Sequence, residues 1–144
     1  MAATAGTFTP GTQYSPAGSV NEGGSDYLVM FHPVVFRFSH RTVSATGDTI
    51  AITTPWKCRV ISVWLDQLAN DATSASTVTV RNGATNVIAT CAFSATDDTV
   101  TVASSIDDTY AVVESGTALT SYWTENSAEL NTGDLYVMVM PMIL

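Results

Sequence analysis

From Val34 onward, apolar and polar residues alternate with a period of two over short stretches, the mark of half-buried strands. Val34, Phe36, Phe38 and His40 fall on one side of the first; Val35, Arg37, Ser39 and Arg41 fall on the other. A turn over 45–47 leads to a short strand, 49–53, and Pro55 breaks the chain before the longest candidate, 57–67. Apolar residues occupy both sides of that stretch, with Val60 and Trp64 on one and Ile61, Val63 and Leu65 on the other, as in a strand at the centre of a sheet. Residues 69–76 are small and polar and read as a loop. Residues 77–82 alternate again with Val78 and Val80 inward, and Asn82 and Gly83 signal a hairpin into a returning strand, 86–93. A strand over 99–103 follows, and weaker strand patterns cover 110–113 and 119–124.

The run Asn131, Thr132, Gly133, Asp134 predicts a turn into a final strand, 135–143. Leu135, Val137 and Val139 occupy one side of it and Tyr136, Met138, Met140 and Met142 the other. Pro141 has no N–H to give a ladder, which places the strand's end at a sheet edge or beyond the pairing. The methionine side suits either core or a subunit interface, where Met and Tyr are enriched.

No stretch has helical periodicity. Many short strands separated by turn residues indicate an all-β sandwich or barrel of about eight antiparallel strands over residues 27–144. Residues 1–26 differ: they are rich in Ala, Gly, Thr, Ser and Pro, without apolar period. Such a segment buries too little apolar surface to offset its own ordering entropy. It reads as an extended N-terminal arm, either solvated or laid over a neighbouring subunit with Phe8, Tyr14 and Val20 as anchors.

Composition narrows the function. The net charge is −8, with five basic residues against thirteen acidic ones. A nucleic-acid partner needs cations to displace counterions from phosphates, so direct nucleic-acid binding is not expected. The five cations (Arg37, Arg41, Lys57, Arg59, Arg81) all precede eight acids that follow Arg81 with no base among them. This asymmetry fits plain surface solvation or contact between opposite-sign faces of neighbouring subunits. No apolar run is long enough for a membrane span and no secretory leader pattern is present, so synthesis in a cytoplasm is expected. Cys58 and Cys91 each sit in an apolar run and read as reduced core thiols.

Candidate chemistry is sparse. Nucleophilic catalysis needs a nucleophile, a base and an orienting group, and the chain has only His32 and His40. The pairs Asp97–Asp98 and Asp107–Asp108 lack the spacing of a calcium loop and read as turns. Of the tryptophans, Trp64 reads as core, while Trp56 and the Tyr122–Trp123 pair fit a sugar-stacking platform or a core plug. The chain is therefore expected to be no enzyme and to hold no cofactor and no metal.

The segment from Pro33 to the end resembles small jelly-roll proteins of tailed-phage virions, in particular capsid decoration, or cement, proteins. The features that carry the resemblance are the aromatic opening strand Val34, Val35, Phe36, Arg37, Phe38 and the long strand beginning Cys58, Arg59, Val60, Ile61. The hairpin at Thr77–Asn82 and Gly83 and the closing run from Asn131 to Val139 complete it. The resemblance implies a jelly-roll β-sandwich on the outer capsid surface of a bacteriophage virion. It implies a homotrimer that binds between major capsid protein subunits, with no catalytic residues. On that basis Phe8, Tyr14, Arg37, Arg41, Tyr136 and Met138 are the interface candidates. The alternative is a receptor- or glycan-binding module of a tail fibre or spike.

Overall fold

The computed structural model describes residues 20–22, 25–27, 32–40, 47–69, 76–96, 98–124 and 131–142, the first two stretches and Ala69 by backbone alone. Of the residues singled out above, Phe8, Tyr14, Arg41 and Asp97 lie outside this set, as does most of the 69–76 loop. The described elements are all strands, paired antiparallel throughout. A small ribbon joins β1 (Val20–Glu22) to β2 (Ser25–Tyr27), within a stretch whose composition showed no strand pattern. The β-sandwich follows: β3 (Val34–His40), β4 (Thr49–Thr53), β5 (Cys58–Ala69), β6 (Thr77–Asn82), β7 (Asn86–Ala92), β8 (Val100–Val102), β9 (Val112–Val113), β10 (Ala118–Thr124) and β11 (Thr132–Pro141).

One sheet has the order β3-β11-β5-β8, with β9 also on β5; the other has the order β4-β10-β6-β7. The pairs nest along the chain: β6 with β7 innermost, then β5 with β8 and β9, β4 with β10, and β3 with β11 outermost. Alternate pairs lie in opposite sheets.

The inner faces follow the period of two. Phe38, Leu135, Val137, Val139, Val60, Val63 and Leu65 face Val78, Val80, Cys91, Leu119 and Trp123, all buried. Trp123 is the largest fully buried side chain. Its ring meets Phe93 edge-on at 4.8 Å and His40 at 4.4 Å, so it fills the end of the core and presents no platform to a ligand. Cys58 and Cys91 are free and buried, and burial pushes both thiols up to about 11. They behave as small apolar fillers.

Two departures from simple alternation correct the sequence reading. A register shift between Met138 and Val139 leaves Ile61 of β5 as an extra residue opposite β11. This bulge moves the phase of the strand. Val60 stays inward, but Val63, Leu65 and Gln67 now join it, and Trp64 turns to the outer face. A second shift between Val80 and Arg81 makes Ile88 the extra residue in β7, so Ile88 and the adjacent Ala89 are both buried. The predicted turn at 131–134 is also displaced, because pairing already begins at Thr132. Pro141 is still paired with Cys58 inside the β5 ladder, while β3 pairing stops at Val139, so the strand's end lies beyond the pairing on the β3 side alone.

Buried polar groups are tied across the fold, as burial requires. Gln67 receives the Ser94 N–H on Oε1 at 2.8 Å and donates from Nε2 to the Ser94 carbonyl at 2.9 Å, pinning the chain after β7 to β5. Thr54 donates to the carbonyls of Glu114 and Thr117 and so closes the turn before β10. His40 of β3 reaches Ser121 of β10 across the core, with Nε2 2.7 Å from the hydroxyl. Desolvation lowers the His40 pKa to about 4, against the opposing pull of Asp48 and Asp134.

Two predictions follow from these contacts. A Cβ at Gly133 would meet the Asp66 carbonyl oxygen at 2.7 Å, with Leu65 and Gln67 also close. Gly133→Ala therefore forces strands β5 and β11 apart and destabilises the fold by about 1–3 kcal/mol, read as a lowered urea midpoint. His40 is neutral in the folded protein and protonates near 6.5 when unfolded, so its contribution is fully present above that value. It is lost as pH falls from about 6.5 toward 4. Urea unfolding at pH 7.5 and 4.5 should show a drop about 2–3 kcal/mol larger than in His40→Gln. Equal drops in both proteins would refute this account.

Candidate functional site

The outer face of the five-stranded sheet gathers the residues that the sequence leaves undecided. Pairing places Val35 beside Met138 and Met138 beside Ser62. The next row runs Arg37, Tyr136, Trp64, Val102; the one after it runs Ser39, Asp134, Asp66, Val100. Val35, Val100 and Val102 are 45%, 59% and 62% exposed, far more than β-branched residues of a finished core. Ile61, thrown outward by the bulge, and Leu68 add exposed apolar surface on the same strand.

The centre of this face is aromatic. The Trp64 and Tyr136 rings lie 5.5 Å apart and within 11° of parallel, both half-buried. Parallel neighbours on adjacent strands support each other's rotamers and make a firm, flat centre. Beside them Arg37 donates from Nη2 to Asp134 Oδ2 at 2.7 Å. The Asp134 side chain is buried while the Arg37 side chain is half exposed. The face thus combines apolar area, a rigid aromatic pair and one oriented cation.

Three sequence candidates meet here: Arg37, Tyr136 and Met138. The methionine side of β11 is accordingly the outside of the sheet and not a second core. Trp64, Val100 and Val102 belong with them but were not anticipated. Trp64 was hidden by the bulge, and Val100 and Val102 sit in a three-residue strand too short for a clear period.

The opposite outer face, on the four-stranded sheet, has another character. Thr49, Thr53, Thr77, Thr79, Thr90, Thr120 and Thr124 cover it, and Arg81 lies 3.7 Å over the Tyr122 ring. The guanidinium also donates to Thr79 and to the Ala84 carbonyl. Threonine here satisfies the pleat with a β-branched, water-compatible side chain.

Groupings with chemical potential are few. His40 and Ser121 are at hydrogen-bond distance, as a base and nucleophile would be, but both are buried between the sheets and a histidine titrating near 4 is a weak base. Asp107 accepts from the Thr109 N–H at 2.9 Å, the self-bonded turn its sequence predicts. An open depression of about 440 Å³ beside β7 is lined by Val87, Ile88, Thr90, Ser104, Ser105 and Asp107, with a single carboxylate. Among the described residues no group of three His, Cys, Asp or Glu could hold a metal ion, and no helix is long and apolar enough to cross a membrane.

No protein-family model matches the chain, and no curated protein matches it either. Among solved structures the chain is similar to one described as the cyanophage Pam1 capsid asymmetric unit. The identity is 18% and the TM-score 0.48, over 85% of this chain and 97% of that one. At that level the likeness assigns no function.

Proposed function

We propose that this protein is a structural, non-enzymatic component of a bacteriophage virion that decorates the outer capsid surface. It binds between major capsid protein subunits and stabilises the shell. The observation that carries this reading is the outer face of the five-stranded sheet. Its exposed Val35, Val100 and Val102 surround a rigid Trp64–Tyr136 pair. Exposed β-branched side chains grouped with an aromatic pair on one sheet face suit a contact with another macromolecule. The nested strand order also supports a jelly roll, an architecture used by viral capsid domains and by lectins. Fold does not assign function, so the face and not the topology carries the weight.

The physics of the role is simple. A ligand that binds only the assembled lattice stabilises it by mass action. Several modest contacts on one homotrimer would combine through effective concentration. The net charge of −8 would limit unspecific contact with nucleic acid.

A second reading has one observation in its favour. A half-exposed aromatic pair beside Arg37 and Asp66 also suits sugar stacking with polar contacts at its edge, as in a tail-fibre or spike module. Trp64 would then be the stacking residue, since Trp123 is buried.

Cryo-electron microscopy of the virion that carries this chain distinguishes the two. Density for the sandwich on the head, between capsid subunits, is the expected result; density at the tail tip overturns it. Particles assembled with Val102→Asp should lose most of the decoration and disrupt at lower temperature than wild type. Glycan-array binding that disappears in Trp64→Ala would instead establish the sugar-binding reading.

A further inference from the structure

We infer that β7 is a pairing edge for a second copy of this chain. The β7 strands of two copies join antiparallel across a twofold axis at Cys91, with Thr90 of each opposite Ala92 of the other. This goes beyond the reading above, because β7 ends the four-stranded sheet while the proposed capsid contact lies on the five-stranded one.

The direction of the main-chain groups is the first argument. The Phe93 N–H bonds the Ser76 carbonyl at 3.1 Å, one step beyond the Ala92–Thr77 pair of the β6–β7 ladder. Main-chain groups of an antiparallel strand alternate between its two sides. Ala89 and Cys91 therefore turn theirs to β6, and Thr90 and Ala92 turn theirs away from it. Both of these residues are exposed, and among the described residues no strand lies on that side of β7. Edge groups of this kind are a template for another strand. The template ends at Ile88, whose carbonyl takes the Asp107 N–H at 2.7 Å, so a loop covers the edge there. The open part suits one twofold contact. Thr90 exchanges both main-chain bonds with the copy's Ala92, and the symmetry repeats the exchange. Such a contact uses the same patch on both copies, so it closes and does not grow into a filament.

Charge is the second argument. Residues 82–96 contain no Asp, Glu, Lys or Arg, in a chain of net charge −8. Like charges opposite one another across a ladder repel, so an uncharged edge is where this acidic molecule can meet its own copy. The other edges are blunted in familiar ways: β3 follows Pro33 and carries Arg37, β4 lies between Asp48 and Pro55, and β8 has three residues.

Shape is the third. A register centred on Cys91 sets Ser94 and Ala95 of the copy beside Ile88 and Val87. There lies the open depression of about 440 Å³, walled on its far side by Ser104, Ser105 and Asp107. Ser94 leaves β7 toward β5, where its N–H and carbonyl bond Gln67. The copy's chain thus bends toward the depression, and small uncharged residues enter it from both sides of the axis. Stable contacts bury about 800 Å² on each partner, so an edge contact of this size is modest in free solution. Copies already held side by side on a surface gain from effective concentration.

Sedimentation of the full chain between about 1 and about 500 micromolar, the range suited to a modest contact, is the test. The mass should double across that range. Thr90→Pro removes a donor that faces the open edge and spares the β6 ladder. Ala92→Lys puts a charge on the same edge. Each should abolish the doubling while thermal melting at the low concentration stays as in wild type; Val102→Asp, on the other sheet, should leave the doubling intact. In wild type the Thr90 and Ala92 amides should exchange about tenfold more slowly at the high concentration, with Cys91 slow throughout. A mass independent of concentration, doubling that survives in a natively melting β7 variant, or exchange at Thr90 and Ala92 that ignores concentration overturns the inference. No capsid enters this experiment, so its failure leaves capsid decoration to the virion images, and absence of head density there leaves the β7 contact standing.

Discussion

The pairing of β11 with β5 is the interaction on which the rest of the molecule depends. It is the longest ladder in the sandwich, running from Thr132 opposite Ala69 to Pro141 opposite Cys58. Both strands are interior to their sheet, and each supplies one outer and one inner row of side chains. The inner rows, Leu135, Val137 and Val139 beside Val60, Val63 and Leu65, make the floor of the core. The outer rows put Tyr136 against Trp64 and Met138 against Ser62. Core and candidate interface are thus two sides of one ladder, and a slip of register would destroy both.

That ladder is held by two local irregularities. At one end Gly133 lets the backbones approach to a distance that any Cβ would prevent. At the other the Ile61 bulge absorbs a residue and resets the phase. Without the bulge, Trp64 would point into a core already filled by Trp123, Phe93 and Phe38, and Val63 would point to solvent. The bulge thereby converts a tryptophan that looks like core into the centre of an exposed aromatic pair. Bulges commonly re-aim side chains at functional surfaces.

The core itself is apolar but pinned by polar links with definite partners. Gln67, Thr54 and the His40–Ser121 bridge each join segments far apart in sequence. Such links add little net energy while made, and cost much when half made, so they favour one arrangement of the two sheets over its neighbours. The ion pairs Lys57–Glu114 and Arg59–Asp108 lie on the surface and contribute modestly.

The sequence by itself determined the all-β class, most strand positions and the inward rows of β3, β6 and β11. Alternation is a local property, and each of those strands keeps its phase from end to end. It also offered Arg37, Tyr136 and Met138 as interface candidates, while leaving open whether the methionine side of β11 was core or surface. Only the tertiary structure decided that these three share one face, because adjacency of β3, β11 and β5 is set by pairing between segments far apart in sequence, as Val34 with Val139. It alone placed Trp64 outside and Trp123 inside, since a bulge leaves no mark in the alternation of a strand that is apolar on both sides. And it alone joined Val100 and Val102 to the aromatic pair. Three residues are too few to show a period, and only their ladder with β5 gives them a direction.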